Sequence, residues 1–204
     1  QKSSETDRNL IVKRSIKAFW KRMKFEHTNL AGVTLIKPKV FEDQRGHFLE
    51  AFRRAGFKDQ GLVFDFCQDN ISTSAKGTVR GLHYQKDPHA QAKLVMAVSG
   101  EILDVAVDIR RGSPTFGQHF STILNDDNRH MMLVPEGFAH GFSVLSKQAT
   151  VYYKCNRYYH KESERGVRWD DPAIGIDWKT GSPILSEKDQ ELPLLNEVNQ
   201  EDLF

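Results

Sequence analysis

From about residue 30 the chain is a succession of short apolar runs. Leu103, Val105, Val107 and Ile109 alternate with Asp104, Ala106 and Asp108, the two-residue period of a strand with one face buried. Comparable runs occupy residues 33–36, 94–98, 122–124, 131–134, 142–145 and 150–153. Turn-forming pieces separate them: Ser99-Gly100, Gly112-Ser113-Pro114, Asn125-Asp126-Asp127-Asn128 and Pro135-Glu136-Gly137. Many short strands at roughly ten-residue intervals predict an all-β sandwich or barrel. After Trp178 the rhythm fades. Residues 186–189, with Leu192-Pro193-Leu194-Leu195 beyond, read as a C-terminal turn or short helix laid on the barrel.

The first segment follows another period. Val12, Ile16, Phe19, Trp20 and Met23 recur at three- and four-residue steps, with Lys13, Arg14, Lys17, Lys21 and Arg22 on other faces, the pattern of a helix with a basic side. Residues 1–28 therefore read as a basic N-terminal extension, and residues 29–204 as one domain. The net charge of +2 conceals an asymmetry: eight basic against three acidic residues in the extension, 21 against 24 in the rest. The extension reads as a helix packed on the body or a flexible arm. The competing reading is a weak contact with an anionic membrane surface or an acidic partner. The slightly acidic body offers no footprint for nucleic acid.

Composition narrows the class. With 39% hydrophobic and 27% charged residues in 204, the chain is an ordinary globular protein that can bury a core without disulfide staples. Two cysteines, Cys67 and Cys155, form no disulfide framework and suit a reducing, cytoplasmic compartment. No apolar run approaches the ~20 residues that span a bilayer, and the polar first residues lack the apolar stretch of a secretory signal.

Candidate chemistry gathers in three places: Arg80-Gly81-Leu82-His83-Tyr84-Gln85 with Lys93 beyond, residues 135–141 around His140, and Tyr152-Tyr153-Lys154-Cys155 running to Tyr159. His, Lys and Tyr exchange protons, while Arg and Lys hold anions. Gly77 followed after five residues by His83, together with Pro135-x-Gly137-x-x-His140, resembles the two-part signature of the cupin jelly-roll barrel. A metal-binding cupin usually carries His-x-His and a nearby Glu in its first part. Here the pair is His83 and Gln85, with no Glu before Glu101. Two imidazoles are too few for a well-held first-row metal, so no metal is expected.

Several further motifs in consistent order sharpen the resemblance. They are Phe41-Glu42-Asp43-Gln44-Arg45-Gly46 with Glu50, Gln68-Asp69-Asn70, residues 80–85, Ser113-Pro114-Thr115-Phe116-Gly117, residues 135–142, Tyr153-Lys154-Cys155 and Trp169-Asp170-Asp171-Pro172. About four-fifths of the chain resembles the dTDP-4-dehydrorhamnose 3,5-epimerases, metal-free cupins of dTDP-L-rhamnose synthesis that use no cofactor. The resemblance implies a catalytic set of His83 as base, Asp189 as its supporting carboxylate, Tyr153 as proton donor and Lys93 near the keto oxygen. It implies diphosphate contacts at Arg45 and Arg80, and substrate contacts at Glu50, Gln68, Asn70 and Tyr159. His140 is open between a binding and a structural role. A homodimer is implied, in which one chain's N-terminal strand joins its partner's sheet. Two readings compete with a double epimerase: a single-site 3- or 5-epimerase of another deoxysugar, and a non-catalytic sugar-nucleotide-binding cupin. For the extension, co-sedimentation with anionic liposomes is the test: if residues 1–28 serve the body alone, deleting them leaves the bound fraction unchanged.

Overall fold

The computed structural model describes residues 23–204. In chain order the elements are β1 (Lys24–His27), β2 (Thr34–Lys37), β3 (Val40–Asp43), β4 (Gly46–Leu49), helix α1 (Arg54–Asp59), β5 (Gln68–Ala75), β6 (Val79–Gln85) and β7 (Lys93–Ser99). There follow β8 (Glu101–Asp108), β9 (His119–Asn125), β10 (Met131–Val134), β11 (Phe138–Val144), β12 (Gln148–Cys155), β13 (Glu164–Gly166) and the one-turn helix α2 (Glu187–Gln190). One sheet runs β1-β2-β10-β7-β12-β5, a second β13-β6-β11-β8-β9, and β3-β4 form a separate hairpin. All recorded pairings between these strands are antiparallel. The expected barrel architecture is the observed one.

Three apolar layers hold it. Between the sheets lie Val95, Ala97, Ile102, Ala106, Met132, Phe142 and Val151. On the outer side of the second sheet, Leu103, Val105 and Val107 pack with Val167, Trp178, Leu195 and Val198 of the C-terminal tail. On the outer side of the first, Leu94, Met96, Met131 and Leu133 meet Phe57 of α1, with Phe52, Phe64 and Phe66 against them. The tail earns its place by covering what would otherwise be an exposed apolar sheet face.

The second of these layers corrects the reading of β8. The alternation of 103–109 predicts one solvated face, yet every residue from Ile102 to Asp108 is buried. Its polar members point into the barrel, where Asp104 and Asp108 are wholly enclosed. The face that carries them is turned toward the barrel interior, with Ile102 and Ala106 in its core, and not toward water. Lys24–His27 forms β1 and pairs along its full length with β2, so the first sheet begins before residue 29. The basic helix predicted from Val12 to Met23 lies outside the described residues, save Met23.

Asp108 shows how the polar positions are secured. Its carboxylate accepts from Arg110 Nε at 2.9 Å and from the hydroxyls of Ser113 and Thr115, each at 2.6 Å, tying β8 to the turn that follows. Burial raises its pKa, but these bonds outweigh that and hold it at about 2. A carboxylate depressed from an ordinary 3.8 stabilises the fold above that value and loses its contribution as pH falls toward 2. Asp108→Asn should lower the thermal midpoint by about 5–10 °C at pH 7. Circular-dichroism melts across pH should show that deficit shrinking below pH 4.

Candidate active site

Two glycines bring β6 and β11 together. Gly81 has φ +129, and a Cβ there would stand 2.6 Å from Gly141 Cα; one on Gly141 would stand 2.7 Å from the Arg80 carbonyl oxygen. The close approach sets His83 and His140 directly opposite each other across the ladder. On β6, Leu82 and Tyr84 belong to the outer, tail-covered layer, so His83 and Gln85 face inward.

Each histidine carries its own carboxylate. His83 Nε2 lies 2.6 Å from Asp189 Oδ1, although 106 residues separate the two in sequence. Asp189 sits on α2, where the Ser186 hydroxyl accepts from the Asp189 backbone N–H at 3.1 Å. Burial pushes the Asp189 carboxyl up, but hydrogen bonds from His83, Ser186 and the Gly81 N–H bring it below the usual carboxylate range. An ionised Asp189 only accepts, so the bridging proton belongs to Nε2 and Nδ1 is left as the basic nitrogen. His140 Nε2 lies 2.8 Å from Asp104 Oδ1, both buried. Burial pushes His140 below its ordinary value against the opposing pull of Asp104.

The opposite sheet supplies the facing wall. Tyr153 on β12 and Lys93 on β7 line two adjoining cavities together with His83. The inner cavity, about 210 Å³, also meets Arg80, His140 and Asp189. The outer, about 350 Å³, meets Gln68, Asn70 and Tyr159. Burial, followed by the nearby Cys155, pushes the Tyr153 phenol up, so it stays protonated as a donor. Lys93 is pushed below the ordinary lysine value by burial, with Cys155, Asp104 and Glu164 pulling the other way. Its Nζ stands 3.5 Å from the His83 carbonyl oxygen. Arg80 Nε donates to Ser74 Oγ at 3.0 Å, Gln68 Nε2 to Asn70 Oδ1 at 3.1 Å, and the Tyr159 N–H to Gln68 Oε1 at 2.9 Å.

Nine of the eleven sequence candidates thus meet at one place. Arg45 and Glu50 do not. Arg45 lies between β3 and β4, largely exposed and paired with Asp43, and Glu50 pairs with Arg53; neither lines the His83 cavities. Among the residues that escaped the sequence reading are Asp104, which holds His140, and Glu164 and Lys188, which line the cavities. For Asp104 a signal existed, a carboxylate on the same strand face as Ile102 and Ala106.

Gln85, the residue two beyond His83, spends its amide on structure. Its Nε2 donates to the His89 carbonyl at 2.6 Å, and its Oε1 accepts from the His160 N–H at 2.7 Å. These bonds sew together two loops at the cavity rim, where the His89 and His160 rings stack 3.7 Å apart. Each imidazole of the inner pair is likewise committed to a carboxylate. Among the described residues no three His, Cys, Asp or Glu side chains gather as metal ligands.

An imidazole base on one wall, with a protonated phenol and a lysine amine on the facing one, suits removal of a proton beside a carbonyl and its return from the opposite face. Fold and site together define a cupin barrel built for proton transfer at carbon. The dTDP-4-dehydrorhamnose 3,5-epimerase family model matches residues 27–197, and the chain belongs to this family. It is 50% identical over 163 residues to the dTDP-4-dehydrorhamnose 3,5-epimerase of Shigella flexneri, covering 79% of this chain and 90% of that one. The crystal structure of the Legionella pneumophila dTDP-6-deoxy-D-glucose-3,5-epimerase in complex with dTDP-4-keto-L-rhamnose superposes with a TM-score of 0.87 at 46% identity, covering 89% and 97% of the two chains. A 3'-monoepimerase from Streptomyces bikiniensis, solved with dTDP-quinovose, gives 0.80 at 34% identity over 84% and 87%.

If Asp189 fixes the tautomer of His83, Asp189→Asn should cost about 10²–10⁴-fold in turnover, since an amide can donate to Nε2 and force the proton onto Nδ1. Steady-state rates with a thermal melt on the same sample check it: the rate should collapse while the fold persists.

Proposed function

We propose that the protein inverts carbons 3 and 5 of dTDP-4-dehydro-6-deoxy-D-glucose, supplying dTDP-4-dehydro-L-rhamnose for dTDP-L-rhamnose synthesis. One observation carries the reading: His83, backed by Asp189, and Tyr153 line the same two cavities from opposite sheets. Carbons 3 and 5 both flank the 4-keto group, so loss of either proton gives an enolate. His83 Nδ1 takes the proton, the Lys93 ammonium stabilises charge on the keto oxygen, and Tyr153 returns a proton on the other face. After each inversion His83 holds a proton and Tyr153 lacks one, and exchange with water resets both. Reactant and product share one oxidation state, so no nicotinamide enters.

Arg80 holds the diphosphate through its guanidinium. Gln68, Asn70 and Tyr159 line the outer cavity for the nucleotide and sugar. His140, held by Asp104, closes the inner one. The two free thiols accord with a reducing, cytoplasmic setting. Arg45 and Glu50 lie outside this cavity in their own chain, and a homodimer accounts for them: the β3–β4 region of one protomer reaches the site of its partner. A single-site epimerase is the second reading, favoured by the likeness to the Streptomyces bikiniensis enzyme.

Incubation of the keto sugar with enzyme in deuterated water, followed by NMR, should place label at carbons 5 and 3. Label at one carbon selects the single-site reading, and label at neither leaves a binding module. Tyr153→Phe should still exchange label but return it from the same face, cutting inverted product about 100-fold or more. Should the dimer share its sites, mixing inactive Arg45→Ala and His83→Ala chains regenerates one intact site in each mixed dimer. Activity should then reach about a quarter of wild type for random pairing, whereas no recovery places Arg45 outside the partner's site.

A further inference from the structure

Glu164 has no part in the steps above, yet one of its oxygens holds two sides of the cavity. Oε2 accepts from the Tyr159 hydroxyl at 2.8 Å and from Lys188 Nζ at 2.5 Å. Tyr159 and Glu164 line the outer cavity, whereas Lys188 lines the inner one. Lys188 is also the residue before Asp189 on α2. Glu164 itself is anchored in β13, whose Gly166 pairs with His83 in the sheet.

The helix needs such a tie. With four residues, α2 is far below the length of about 12 at which a helix begins to hold itself. Its position is set by what grips it from outside. Asp189 to His83 is one grip, the chain pairing at Val79 N–H to the Ile184 carbonyl a second, and Lys188 to Glu164 a third. Lys188 and Tyr159 are both about half exposed, so an isolated pair between them and Glu164 would be worth little. A carboxylate oxygen shared by a cation and a phenol, on a strand beside the base, couples them instead.

We infer that Glu164 is a positioning residue, a clasp that fixes the helix carrying Asp189 and the Tyr159 wall relative to each other. The inference rests on the epimerase reading for its kinetic consequence, though not for its structural one. Through Asp189 the clasp sets the angle of the His83 ring, and through Tyr159 it sets how the sugar lies before that ring. Losing it should slow the chemistry more than it weakens binding.

The test uses the full-length chain with Glu164→Gln, Lys188→Met, their double variant, Lys188→Arg, and Glu162→Gln as an exposed-carboxylate control. Turnover of the keto sugar is read alongside backbone amide exchange, by mass spectrometry, of peptides covering residues 156–160 and 185–191. Glu164→Gln and Lys188→Met should each lower kcat about tenfold and change KM less than about threefold. Both peptides should exchange faster together, the double variant should be no slower than the worse single one, and Lys188→Arg should restore the wild-type rate. Unchanged amide exchange in 185–191 on Glu164→Gln overturns the clasp, as do single effects that multiply to about 100-fold or a matching effect from Glu162→Gln. If the wild-type chain fails to turn over the keto sugar, the epimerase reading falls, while amide exchange still decides the clasp.

Discussion

The bond between His83 and Asp189 joins the two halves of this molecule's design. A histidine on an inward-facing strand position is only a weak, freely tautomerising base. It becomes a directed one because the C-terminal tail, after covering the outer face of the second sheet, delivers a buried carboxylate 2.6 Å from one of its nitrogens. The tail is therefore both the apolar lid of the sheet, through Trp178, Leu195 and Val198, and the source of the group that orients the base. Burial works against an ionised Asp189, and the contacts with His83, Ser186 and Gly81 outweigh it. Stability and chemistry meet at one carboxylate.

The barrel places opposite chemistries on opposite sheets. β6 and β11 carry the imidazoles; β7 and β12 carry the ammonium and the phenol. Because strand side chains alternate, β6 and β7 each give one set of residues to the barrel interior and the other to an outer apolar layer. Leu82 and Tyr84 flank His83 and pack against the tail, while Leu94 beside Lys93 packs against the Phe57 layer. A reacting carbon between the sheets faces an acceptor on one side and a donor on the other. This is the arrangement inversion requires.

The strands that were legible in the sequence are the apolar ones, such as β7, β8 and β10. Two that went unseen, β5 and β6, carry Gln68, Asn70, Ser72, Arg80 and His83, polar groups that line the two cavities. Their function erased the alternation that would have announced them. The hairpin β3–β4 was hidden for another reason: it is exposed throughout much of its length and has no buried face to pattern. For β8 the period was correct but its meaning was inverted, since Asp104 faces a histidine and not solvent. Spacing alone could never pair His83 with Asp189 at 106 residues; only the resemblance of the surrounding motifs did. Glu164 and Lys188 sat in charged stretches that carry no pattern, and only folding brings them to one oxygen.

The central claim is that Asp189 holds His83 as one tautomer, with Nε2 protonated and Nδ1 bare toward the sugar. Nitrogen-15 NMR of histidine-labelled protein, with His83 assigned through a His83→Gln variant, reads this directly. A protonated Nε2 and an unprotonated Nδ1 at neutral pH, reversed when Asp189 is replaced by Asn, are the expected result. A His83 proton on Nδ1 in the wild-type protein, or a spectrum indifferent to Asp189, would contradict it.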